Sequence, residues 1–213
     1  MLDTGKPFDH ITDPFAIHLA RDVLSPEQVR ALHATAPRDG FKRIEVLDPN
    51  HEKQYAMNLR YLVQDNDISA GSDDLAPEWR QLVRELRGET FLRWLEQGTS
   101  LELAELSTDI GIYTHDDGDY ISIHKDKPNK AITAILYLNP HWPEDGGGAY
   151  EVRRSPDPAD EPARLIPPRG GQFLAFPPTD RSWHSVSRVT TGGAPQRLTV
   201  QLEFWLSPDD RAH

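Results

Sequence analysis

Ile132-Thr133-Ala134-Ile135-Leu136-Tyr137-Leu138 alternates along a β-strand, setting Ile132, Ala134, Leu136 and Leu138 on one face and Thr133, Ile135 and Tyr137 on the other. Arg197-Leu198-Thr199-Val200-Gln201-Leu202 repeats the pattern: Leu198, Val200, Leu202 and Phe204 share one face, Arg197 and Thr199 the other. From about Leu101 onward the apolar period is two and turn residues punctuate short apolar segments, as in an all-β barrel or sandwich. Upstream the period changes. Leu24-Ser25-Pro26-Glu27-Gln28-Val29 reads as a helix start running to about Ala34, with Ser25 as cap, Pro26 at the first helical position, Gln28 closing a capping box and Leu24 stapled to Val29. A second helix is expected from Pro77 through Trp79, Leu82, Val83 and Leu86, stopping at Gly88; a third, around Phe91, Leu92 and Leu95, is expected to end at Gly98.

The length of 213 residues points to one domain, with a helical part over 1–100 and a β core over 101–206. The Pro-rich, charged stretch from Arg153 to Pro168 reads as a solvated loop, and there are no internal repeats. A net charge of -11 and a pI near 5.2 argue against nucleic acid as a partner, because phosphate binding needs a basic stripe. No apolar run approaches the roughly 18 residues of a membrane span, and Met1-Leu2-Asp3-Thr4-Gly5 lacks the basic and apolar regions of a signal peptide, so a cytoplasmic protein is expected. With no cysteine in the chain, any metal must be held by histidine and carboxylate.

The tripeptide His124-Lys125-Asp126 is such a pair. It follows the apparent strand Tyr120-Ile121-Ser122-Ile123, whose alternation sets Tyr120, Ser122, His124 and Asp126 on one side, about 7 Å per two-residue step. A second copy, His115-Asp116-Asp117, lies in a cluster of turn formers ending Gly118-Asp119 and reads as a loop with its side chains toward water. The distant third ligand is His184, in Arg181-Ser182-Trp183-His184-Ser185-Val186, after the apolar run Phe173–Phe176 and a turn. Two imidazoles and one carboxylate on one side of a divalent ion leave positions open, which suits non-haem Fe(II) oxygenases; the same set also suits Zn(II) and hydrolysis. Arg197, opening an amphipathic strand, offers a fixed cation for a carboxylate-bearing co-substrate, and Thr199 on the same face adds a hydroxyl.

Taken in order, Gly118-Asp119-Tyr120 leading into His124-x-Asp126, then Leu136-Tyr137-Leu138-Asn139-Pro140 with Trp142, Gly146-Gly147-Gly148, Pro167 through Phe176, His184 and Arg197, the chain from Leu101 to Trp205 resembles the 2-oxoglutarate and Fe(II)-dependent oxygenases of the prolyl-4-hydroxylase-like branch. The resemblance implies a double-stranded β-helix, or jelly roll, with N-terminal helices buttressing the larger sheet. It implies Fe(II) on His124, Asp126 and His184, and 2-oxoglutarate with its distal carboxylate on Arg197 and the Tyr137 phenol. Tyr113 is a candidate for the other end of the co-substrate. It further implies oxidation by O2 with release of succinate and CO2. Halogenating relatives have a small residue where this chain has Asp126, so hydroxylation or desaturation is expected; DNA-repair relatives carry a second arginine where this chain has Glu203.

A small-molecule substrate, such as an amino acid or natural-product intermediate, is expected ahead of a prolyl or other residue in a protein, since no accessory peptide-binding domain is visible. The segment Phe41 to Leu62, with His51, Lys53, Tyr55, Asn58 and Arg60, is a candidate strand-loop for the substrate side, and Trp142 and Trp183 are candidates for its border. A non-catalytic jelly roll that binds a sugar or metabolite is the alternative from another class. The sequence does not specify the oligomeric state.

Overall fold

The strand opened by Arg197 lies in the middle of a thirteen-stranded antiparallel sheet, flanked on both sides by long ladders. In the computed structural model, which describes residues 1–206, the order along the chain is β1 (Asp9–Ile11), β2 (Ile17–Ala20), α1 (Pro26–Ala34), β3 (Lys42–Val46), β4 (Tyr55–Gln64), β5 (Asp67–Ile68), a 3-10 turn (Ser72–Asp74), α2 (Pro77–Leu86) and α3 (Glu89–Thr99). Then follow β6 (Ser107–His115), β7 (Ile121–His124), β8 (Lys130–Tyr137), β9 (Tyr150–Val152), β10 (Arg164–Ile166), β11 (Phe173–Phe176), β12 (His184–Val186) and β13 (Arg197–Trp205).

Strands β1-β2-β11-β8-β13-β6-β4 form one wall, and β7-β12-β9-β10 form a smaller one. The walls join where Tyr55 pairs with Ile121. The chain is mostly β and curls as a jelly-roll core does.

Leu198, Val200, Leu202 and Phe204 are buried on the outer face of the large wall with Leu32, Trp79, Leu82, Phe91 and Leu95 from the helices. Arg197 and Thr199 point to the inner face. The start of α1 is as the sequence anticipates: Ser25 and Gln28 make both bonds of the capping box, and Leu24 and Val29 are both buried. Helix α3 runs past Gly98 to Thr99 and turns at Ser100, whose φ is 59°. Gly98 serves packing instead, since a Cβ there would stand 2.1 Å from the ring of Phe8.

The first hundred residues hold five strands as well as the three helices. Strand β4 enters the large wall beside β6, and β2 extends it beyond β11. Residues 153–168, read as loop, contain β10, which pairs with β9. No helix among the described residues is long and apolar enough to cross a membrane.

Candidate metal and co-substrate site

Strand β7 carries a bulge. His184 pairs with His124 and Val186 with Ile121, so one residue lies between the partners on β12 and two on β7. The extra residue turns both Ile121 and His124 inward, where strict alternation would have sent one of them out. Asp126 follows just past the strand end.

His124, Asp126 and His184 converge at the open end of the curl. The Nε2 atoms of His124 and His184 lie 3.6 and 3.8 Å from Asp126 Oδ1, and the ligand atoms of all three fall within 4.8 Å of one another. With bonds near 2.1 Å, two ligands of one ion span at most about 4.2 Å, so both carboxylate–imidazole spacings fit a single metal. The protonation states agree with that use. Each Nδ1 lies 2.9 Å from a backbone carbonyl two residues back, of Ser122 and Ser182. A carbonyl only accepts, so Nδ1 carries the proton and Nε2 presents a lone pair.

Burial, reinforced by His124, pushes His184 down to about 3, and burial and Lys53 lower His124. Burial would raise Asp126, but Lys130 and the two imidazoles hold it well below the usual carboxylate range. Its second oxygen is engaged: Thr133 Oγ1 donates to Oδ2 at 2.5 Å, and Lys130 Nζ sits 3.6 Å from Oδ2 while pairing with Glu203. This leaves Oδ1 for the imidazole side. Tyr150 stacks on His184 with centroids 5.2 Å apart, and Phe176 meets the same ring edge-on at 4.8 Å.

Behind this triad sits Arg197, which has no solvent exposure and no carboxylate partner among the described residues. Its Nε donates to the Gly148 carbonyl at 2.8 Å, its Nη1 lies 3.5 Å from His115 Nδ1, and its Nη2 has no hydrogen-bond partner. The Tyr137 ring centre is 5.4 Å from the guanidinium carbon. The Tyr137 and Tyr150 hydroxyls and His115 Nε2 are likewise buried and unpartnered. A buried cation with free donors around it is costly unless an anion completes it. Thr199 is fully buried in register between Tyr113 and Tyr137, its hydroxyl 3.5 Å from the Tyr113 carbonyl. Burial raises the Tyr113 phenol, and so do Glu203, Tyr61, Asp109 and Asp126.

His115 differs from its reading as a loop residue turned to water. It ends β6, has no exposed surface, and pairs across strands with Arg197. The acids after it serve the loops: Asp116 accepts from Asn58 and Gln196, Asp117 from the Gly192 amide, and Asp119 from Arg43 in a two-pronged pair. Lys130, Thr133 and Tyr150 also escaped the sequence reading. Only Thr133 had a visible signal, since it alternates with Tyr137 on the same strand face. Trp142 donates to the Gly147 carbonyl, and Trp183 lies under the Lys125 ammonium at 4.7 Å.

A curled antiparallel sheet with two histidines and an aspartate at its mouth, and a buried arginine behind them, is the arrangement of the iron- and 2-oxoglutarate-dependent oxygenases. Residues 108–206 match the family model described as the 2OG-Fe(II) oxygenase superfamily. That family implies Fe(II), 2-oxoglutarate and O2. The chain is 29% identical over 161 residues to prolyl 3-hydroxylase OGFOD1 of Xenopus laevis, covering 71% of this chain and 31% of that protein. It thus spans about a third of the length of the curated relatives it matches. Among solved structures it is similar to a Pseudomonas putida prolyl-4-hydroxylase (TM-score 0.63, 19% identity, 90% of this chain and 92% of that one). It is also similar to a Trichoplax adhaerens prolyl hydroxylase solved with a hypoxia inducible factor peptide fragment (TM-score 0.58, 15% identity, 89% and 83%).

Proposed function

We propose that this chain is an Fe(II)- and 2-oxoglutarate-dependent dioxygenase that hydroxylates a prolyl residue of a protein or peptide. The observation that carries the co-substrate is Arg197, a buried guanidinium with a free Nη2 and no counter-ion among the described residues, set behind a triad in the protonation state a metal requires. His124, Asp126 and His184 would hold the iron, and Arg197 with Tyr137 would hold the distal carboxylate of 2-oxoglutarate. Thr199 would support that end and Tyr113 the other. Bound together, iron, 2-oxoglutarate and O2 supply the oxidising power and release succinate and CO2. The protein orients: Thr133 and Lys130 hold Asp126 by one oxygen, and Tyr150 and Phe176 keep water from the His184 ring.

The small-molecule expectation gives way to a peptidyl substrate because the curated relatives and two of the structural neighbours are named as prolyl hydroxylases. An apolar, aromatic cluster of Met57, Leu59, Tyr113, Ile121 and Val186 with Tyr55 and Tyr61, on β4, β6, β7 and β12, is of a kind suited to a proline ring.

Anaerobic Fe(II) and 2-oxoglutarate should give the charge-transfer absorption of a chelated iron, which His184→Ala abolishes; folded wild type without that band overturns the reading. Succinate release should then be stimulated by capped proline peptides. Stimulation by free amino acids alone would return the substrate to the small-molecule class.

A further inference from the structure

Lys53 stands just before β4, in the segment that leads into the strand beside β7. The Gln54 amide donates to the Ser122 hydroxyl, the Ser122 amide to the Gln54 carbonyl, and Tyr55 pairs with Ile121, so the segment runs antiparallel to β7 toward His124. Alternation puts Lys53 on the same face as Tyr55 and Met57, the face that packs with Leu59, Tyr113 and Ile121. Its ammonium lies 5.6 Å from the Tyr55 ring centre. Burial lowers Lys53, Asp126 and Glu203 act to raise it, and Lys130 and Lys127 to lower it; Lys53 in turn lowers both His124 and His184.

The neighbouring ammonium groups are occupied. Lys130 is held between Asp126 and Glu203, and Lys125 reaches the Asp180 carbonyl and the Trp183 ring. Lys53 has no carboxylate partner among the described residues. With iron and co-substrate bound, the two positive charges of Fe(II) offset the two negative charges of 2-oxoglutarate, and Lys130 and Arg197 offset Asp126 and Glu203. Lys53 is then an ammonium without a carboxylate partner among the described residues, in a chain whose net charge is -11.

Resting on the proposed prolyl hydroxylation, we propose that Lys53 is a specificity-determining residue that pairs with a carboxylate of the substrate, so that the favoured sites are prolines with an acidic residue beside them. The carboxylate has two possible sources, an Asp or Glu side chain within a peptide or the terminal carboxylate of proline itself, and the probes separate them.

One set of probes is a library of capped peptides with a central proline and randomised neighbours; the other is N-acetylproline against its amide. Both are presented without oxygen to protein loaded with Fe(II) and 2-oxoglutarate, and retained molecules are identified by mass spectrometry. Wild type should retain acidic-flanked peptides about tenfold more strongly than their Gln or Asn counterparts, as for one charge-assisted contact. Lys53→Gln should remove that preference, and Lys53→Glu should shift it to basic flanks, which a purely structural lysine would not do. Equal retention of acidic and neutral peptides, retention of none, or a preference that survives Lys53→Gln overturns the assignment. Selective retention of N-acetylproline with no selection among capped peptides overturns the side-chain source. The charge-transfer band should be intact in both variants; its absence from wild type would instead sink the iron and co-substrate reading.

Discussion

Asp126 divides its two oxygens between different tasks: Oδ2 takes the Thr133 hydroxyl and faces Lys130, while Oδ1 faces the imidazoles. Thr133→Val should therefore weaken Fe(II) affinity on the order of 10-fold to 100-fold, the usual cost of losing a group that orients a ligand, with Thr133→Ser close to wild type by calorimetric titration. His115 carries a pH consequence. Burial, then Arg197 and Arg43, lower it well below its ordinary value. Below a pH of about 6.5 the unfolded chain takes up a proton there that the folded chain refuses, so stability falls as pH drops, by about 1.4 kcal/mol per pH unit. His115→Asn should flatten the fall by one proton's share in urea unfolding of metal-free protein. By loosening the seat of Arg197 it should also weaken 2-oxoglutarate binding while leaving Fe(II) affinity unchanged. Both H-x-D copies were visible in the sequence, and of the two it is His124 and Asp126 that lie close to His184. That context misread His115 because Asp116, Asp117 and Gly118 look like solvated turn, whereas the acids are consumed by Asn58, Gln196 and the Gly192 amide, and the strand runs on to the histidine.

Elements place these side chains through two local departures from regularity. One is the bulge in β7. Deleting one residue of Ser122-Ile123 would restore an even ladder with β12 and turn Ile121 away from the cleft or His124 away from the triad; far-ultraviolet circular dichroism should persist while metal binding disappears. The other is the run Gly146-Gly147-Gly148. Gly147 has a φ of 62°, and a Cβ there would come within 1.9 Å of the Arg188 carbonyl oxygen, while the Gly148 carbonyl takes the Nε bond of Arg197. Gly147→Ala should cost about 1–3 kcal/mol from backbone strain alone, with the clash added, and should lower 2-oxoglutarate affinity as the Arg197 seat moves. The sequence showed the glycine run but not its purpose, because the partner strand is some forty residues away. The strands of the first hundred residues were hidden for another reason. Tyr55–Gln64 is buried toward the helices and toward the cleft at once, so its apolar residues do not alternate, and β1 and β2 are too short to show a period.

At the scale of the molecule, the helices and the site use opposite faces of the same wall. Trp79 has no exposed surface and donates to the Leu32 carbonyl at 2.9 Å, tying α2 to α1 over the outer face. Trp79→Ala should cost about 3–5 kcal/mol in urea unfolding yet leave iron affinity in the surviving folded fraction near wild type. The β half and the capped helices were legible because each buries one face, and one-sided burial writes a period into the sequence. The curl was not, since it depends on which strands meet across the seam. At that seam His124 and His184 oppose one another as cross-strand partners, their ring centres 4.2 Å apart. An ion held by both would therefore cross-link two neighbouring strands through their side chains, as a rivet does. Its binding energy would oppose local opening of the small wall, so amide hydrogen exchange in β7 and β12 should slow on adding Fe(II), with little change in the helices.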